Sequence, residues 1–141
     1  MMYYEIRPLS DQLYFIRWFP TPAENRRPES QYVWEIADIL RKAEQPLYFL
    51  SDLRLGRITN VSILQQLAKV INHSKYGGST AFSESLMSEL FVGVFSRFAD
   101  PGEAEHAFYK TLDQALGYLE RIKPGITAEI NWETVVKTLT V

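Results

Sequence analysis

The chain has 141 residues, 46% of them hydrophobic and 23% charged, with a net charge of -2. That length supplies one domain with a real core, and the charge balance argues against a dedicated nucleic-acid binder, which carries a basic field. Cysteine is absent, which excludes disulfides, thiolate zinc sites and cysteine nucleophiles. The opening MMYYEIRPLSDQ lacks the basic-then-apolar plan of a signal peptide. No apolar stretch approaches spanning length, so a cytoplasmic location without membrane insertion is expected.

Two strands are predicted first, MYYEIRPL and LYFIRWF, joined by the polar turn SDQ. In the second run Leu13, Phe15 and Phe19 share one face and Tyr14, Ile16 and Trp18 the other, so both faces are to be covered. PTPAENRRPES reads as a polar, proline-rich loop. Val33, Ile36, Ala37 and Leu40 then recur at helical spacing, with Glu35, Asp38, Arg41 and Lys42 facing away. EQP ends this helix, because the residue before a proline disfavours helical geometry.

PLYFLSDL is an apolar run of strand length without polar alternation, typical of a buried central strand. A helix is predicted from Val61, with Leu64, Leu67, Ala68 and Ile71 inward and KYGG as its stop. STAFS is a short strand candidate. SLMSELFVGVFSRF follows as a helix with a wide stripe of Met87, Leu90, Phe91, Val94, Phe95 and Phe98. HAFYK is the last strand candidate. In TLDQALGYLERI, Thr111 and Gln114 fit a capping box and Leu112, Ala115, Leu116, Leu119 and Ile122 form the inward stripe.

The expected fold is therefore α/β, ordered β-β-α-β-α-β-α-β-α, with a mixed, mostly parallel sheet flanked by helices. Residues 1–123 form the domain. Residues 124–141 are an extension in which Asn131 caps a short helix bearing Trp132, Val135, Val136 and Leu139, docking on the domain or on a partner.

Chemistry-bearing patterns are few. His73 and His106 stand far apart and neither has a neighbour at metal-ligand spacing, so no metal, cofactor or catalytic residue is assigned. KYGGST lacks the spacing and lysine of a phosphate loop. Asp52 ends the central strand, where open α/β sheets place functional groups; otherwise it is a loop carboxylate capping a turn. Arg54 and Arg57 read as a solvated pair, with anion binding as the alternative. Thr59 or Asn60 caps the next helix and puts Ser62 in its first turn. A phosphate there would meet unpaired N–H groups and the positive helix end. A serine that merely starts a helix is the alternative.

The strand-helix order and the segment LYFLSDLRLGRITNVSIL resemble the STAS domain, the family of bacterial anti-sigma-factor antagonists and related sulfate-transporter domains, and within it the SpoIIAA-like set. LYFLSDL matches the family's central strand, with Asp52 on its terminal aspartate. NVSIL lies on the helix-opening segment and puts Ser62 at the family's phosphoacceptor, although Asn60, Val61 and Ile63 differ from its aspartate, serine and glycine. HAFYKTLDQALGYL resembles the closing strand and helix.

The resemblance implies a non-enzymatic regulatory or protein-protein interaction module, its partner-facing loop formed by Asp52, Arg54, Arg57, Thr59 and Asn60, with Ser62 as candidate phosphoacceptor. The alternative is a carrier of a small apolar or lipid-like ligand in a cavity lined by some of the eight Tyr, eight Phe and three Trp. A homodimer joined through the tail from Ile126 is a third reading.

Overall fold

The computed structural model describes residues 3–20, 27–86, 88–90, 92–93 and 108–137. Its frame is a five-stranded sheet of β1 (Tyr4–Pro8), β2 (Leu13–Trp18), β3 (Leu47–Asp52), β4 (Tyr76–Phe82) and β5 (Phe108–Tyr109), laid side by side in chain order. β1 and β2 form an antiparallel hairpin, and β2 through β5 are parallel. The Ser10 hydroxyl accepts from the Leu13 N–H at 3.2 Å inside the hairpin turn.

Helices α1 (Arg27–Lys42) and α2 (Val61–Val70) make the first two crossovers. Parallel strands added successively in one direction by right-handed crossovers place their helices on one face. Packing agrees: Ile16 and Trp18 of β2 and Leu47 and Phe49 of β3 bury against Tyr32, Val33, Ile36 and Leu40 of α1 and Ile63 and Leu64 of α2. The intervening strand residues turn the other way. Leu13, Phe15, Tyr48, Leu50 and Phe82 meet Ala115 and Leu119 of α3 (Leu112–Ile122), together with Val135 of α4, a single turn at Trp132–Val135. β2 and β3 are thus covered on both faces, which is why neither alternates polar with apolar.

Several local expectations need correction. α1 begins at Arg27, so RPES belongs to the helix and not to the loop; Pro28 is tolerated in a first turn, where no N–H partner is required. Gly77 and Gly78 lie within β4 and do not stop α2, which ends at Val70 with Ile71 as its cap. A Cβ on Gly77 would stand 2.6 Å from Cζ of Tyr48, so the glycine makes room for that ring. The Thr111 hydroxyl accepts from the Gln114 backbone N–H at 3.2 Å, but Gln114 Oε1 takes the Lys110 N–H and not that of Thr111, so the capping box is not reciprocal. After β4, residues 86, 88–90 and 92–93 are helical, and Leu90, a member of the wide apolar stripe, is 58% exposed. Met87, Phe91, Val94, Phe95, Phe98, His106 and Leu139 lie outside the described residues.

Candidate functional site

The carboxyl ends of β2 and β3 carry a charged cluster that begins with strand register. Arg17 and Asp52 are Cα partners across the parallel pair, and both continue the inward face that starts with Leu13 and Phe15, and Tyr48 and Leu50. Asp52 is wholly buried and Arg17 is 2% exposed. Arg17 donates from Nε to Asp52 Oδ2 at 3.0 Å. Arg54 folds back to donate from Nε to Oδ1 at 2.9 Å and from Nη2 to Oδ2 at 2.8 Å, while its backbone N–H reaches Oδ1 at 3.1 Å. Both carboxylate oxygens are therefore filled, which a buried charge requires. Bonding to Asp52 raises the Arg54 pKa above the usual guanidinium value, with its partial burial opposing.

β1 adds Glu5 opposite Arg17 and Arg7 opposite Phe15. Glu5 lies 3.7 Å from Arg17 Nη1 and 4.0 Å from Arg7 Nη2. The guanidiniums of Arg7 and Arg17 lie 5.4 and 5.2 Å from the Phe15 ring centre, and that of Arg54 lies 5.2 Å from Phe82.

The loop from β3 to α2 leaves this cluster and crosses the sheet end. Gly56 passes so near β2 that a Cβ there would fall 2.2 Å from the Phe19 carbonyl oxygen. Arg57 donates from Nε to Ser88 Oγ at 2.8 Å and from Nη2 to Ser85 Oγ at 3.2 Å, and Ser88 in turn donates to the Leu53 carbonyl at 3.0 Å. Glu29, 2% exposed in the first turn of α1, accepts the N–H groups of Thr59 and Asn60 through Oε1. Asn60 is the N-cap of α2, in extended conformation, its Oδ1 accepting from the Ile63 N–H at 3.3 Å. That leaves Val61 and Ser62 in the first turn, both exposed, a turn that carries no acidic residue of its own.

The structure thus brings five of the six proposed site residues into one pinned loop with Ser62 at its end, but gives them different roles. Asp52 faces inward and orders the loop. Arg54 and Arg57 are not a solvated pair: the first holds Asp52 and the second two serine hydroxyls. Thr59 and Asn60 are tied to α1. Arg17, Arg7, Glu5 and Glu29 were not singled out from the sequence; a lone arginine inside the otherwise apolar LYFIRW was the available signal for a buried ion pair.

His73 accepts the Lys75 N–H within a turn. Among the described residues no group of His, Cys, Asp or Glu is arranged to hold a metal ion, and no helix is long and apolar enough to cross a membrane. Aromatic rings fill the α1-α2 side: Trp18, Tyr4 and Tyr32 form a triangle with centres 5.0 to 5.3 Å apart, and Phe49 stacks on Tyr76 at 6.1 Å. The chain matches no family model, no curated protein and no solved structure.

Proposed function

We propose that the chain is a non-enzymatic interaction or regulatory module of STAS type, presenting the β3-α2 loop and the first turn of α2 to a protein partner. One observation carries this reading: the loop is pinned from inside, and exposed aliphatic side chains stand on the elements that flank it. Val61 is 46% exposed, and Leu86 and Leu90, just beyond the serines that hold Arg57, are 79% and 58% exposed. β3 and β4 are parallel neighbours, so the segments that follow them emerge at the same end of the sheet. Exposed aliphatic side chains on an ordered backbone suit a contact surface, because little chain entropy is lost on binding. Ser62, next to Val61 in the first turn of α2, is the candidate phosphoacceptor; a phosphate there would add nearly two negative charges to this surface and change its choice of partner.

A photo-crosslinking residue placed at Val61 or Leu86 in the source cells tests this, with Arg41 at the far end of α1 as control. The same discrete protein adduct from both site positions, absent from Arg41, is expected. Adducts that do not differ between the three positions would overturn the reading.

A further inference from the structure

The charged cluster has an occupant. Arg7 Nη2 and Arg17 Nη2 donate to the Val135 carbonyl at 3.1 and 3.2 Å, Arg54 Nη2 to Val136 at 2.7 Å, and Arg17 Nη1 to Lys137 at 3.1 Å. Three guanidiniums therefore converge on three successive carbonyl oxygens at the end of α4. These acceptors are neutral. The cluster holds three cations against two carboxylates, Glu5 and Asp52, and Asp52 is already saturated by Arg17 and Arg54. Arg7 has only the marginal 4.0 Å approach of Glu5, and its buried Nε has no hydrogen-bond partner.

A net positive group with an unused donor is matched better by an oxyanion than by amide carbonyls, since charge-assisted bonds are roughly twice as strong as neutral ones. The segment covering it is short. Val135 is its one fully buried side chain, Trp132 and Val136 pack partly buried beside it, and Glu133, Thr134 and Lys137 are exposed. Segments this short, with half of their side chains in solvent, open below the global stability of the fold.

We propose that Arg7, Arg17 and Arg54 form a binding site for an oxyanion ligand, a phosphate or carboxylate group, and that residues 132–137 occupy it in cis as a displaceable strap. Binding requires the strap to lift, so the apparent dissociation constant is the intrinsic one divided by the fraction of molecules already open. Arg54 belongs to the β3-α2 loop, so the site adjoins the partner surface, but Val61, Leu86 and Leu90 take no part in it; crosslinking at Val61 and Leu86 can therefore persist where anion binding fails.

The test is an NMR titration of the full chain with inorganic phosphate, and separately acetate, against chloride at equal ionic strength, following the arginine Nε–H signals and the amides of residues 132–137. Wild type is compared with Val135→Ala and Val135→Gly, which loosen the strap without adding a charge; if the second fails to fold, the first carries the comparison. Saturable shifts at Arg7, Arg17 and Arg54 are expected, with the dissociation constant lowered about tenfold by loosening the strap. Adding Arg7→Gln to the loosened chain weakens binding severalfold. Saturation by phosphate alone assigns a phosphate-bearing ligand, and by both anions a carboxylate-bearing one as well. Non-saturating shifts with both anions, or equal affinity in the wild type and the loosened variants, would overturn the proposal.

Discussion

Asp52→Asn is the substitution most informative about how the loop is held. It keeps the shape of the side chain and removes its charge, placing an amide N–H₂ where one carboxylate oxygen accepted from guanidinium donors. Arg17, 2% exposed, then keeps a buried charge without its close counter-ion, since Glu5 stands off at 3.7 Å. Breaking a buried pair from one side costs about 3–5 kcal/mol. A domain of this size falls by roughly 3–5 °C in Tm per kcal/mol, so a drop of about 9–25 °C is expected.

Urea unfolding followed by circular dichroism reads the loss directly, as a lower midpoint at an unchanged slope. Arg17→Met together with Asp52→Asn removes both charges and should cost less than the sum of the single changes, by about 2 kcal/mol. A single-mutant loss below about 1 kcal/mol, the range of an exposed pair, would refute the claim that Asp52 is the buried counter-charge of the loop.

Three further outcomes follow from particular contacts. Ser62→Glu should leave the fold intact and raise stability by about 0.3–1 kcal/mol in a thermal melt at low salt, since it adds a carboxylate to an exposed first turn that has none, whereas Ser62→Ala should change little. Gly56→Ala drives a methyl group into the Phe19 carbonyl and should cost about 3 kcal/mol in the same urea assay, most of it as lost loop geometry. Glu120 is held below the usual carboxylate range by the Thr127 hydroxyl first and then by the Gly125 and Thr127 N–H groups. Its contribution is complete above the ordinary glutamate pKa and is lost as pH falls through the lowered folded value. Exchange protection of the Gly125 and Thr127 amides should therefore fade in acid, and Glu120→Gln should flatten that dependence.

Much of the frame was legible from periodicity alone. Val33, Ile36 and Leu40 mark the inward side of α1 by their spacing, and the unbroken LYFL of β3 shows a strand covered twice. What escaped were features decided by tertiary partners. Gly77 and Gly78 carry an ordinary local stop signal, and only the Tyr48 ring over the first and the Ile122 side chain over the second explain their place in a strand. Arg17 meets Asp52 through β2-β3 register, thirty-five positions away, which no local pattern encodes. Glu29 looks like a routine acidic first-turn residue until the β3-α2 loop is laid over it. The candidate loop was found because Asp52 ends the central strand, yet Asp52 itself turned out to face inward, so position was readable and orientation was not.

The central claim is that this protein works through the surface at the sheet end, not through its interior. Native and denaturing mass spectrometry of protein purified from its own source tests this most directly. The account predicts a native mass equal to a whole number of chains, with no more added than a covalent phosphate on Ser62 or a small oxyanion held by the arginine cluster. A lipid-sized adduct present in the native spectrum and lost on denaturation would contradict it, and would mean that the aromatic-rich interior opens to hold a ligand.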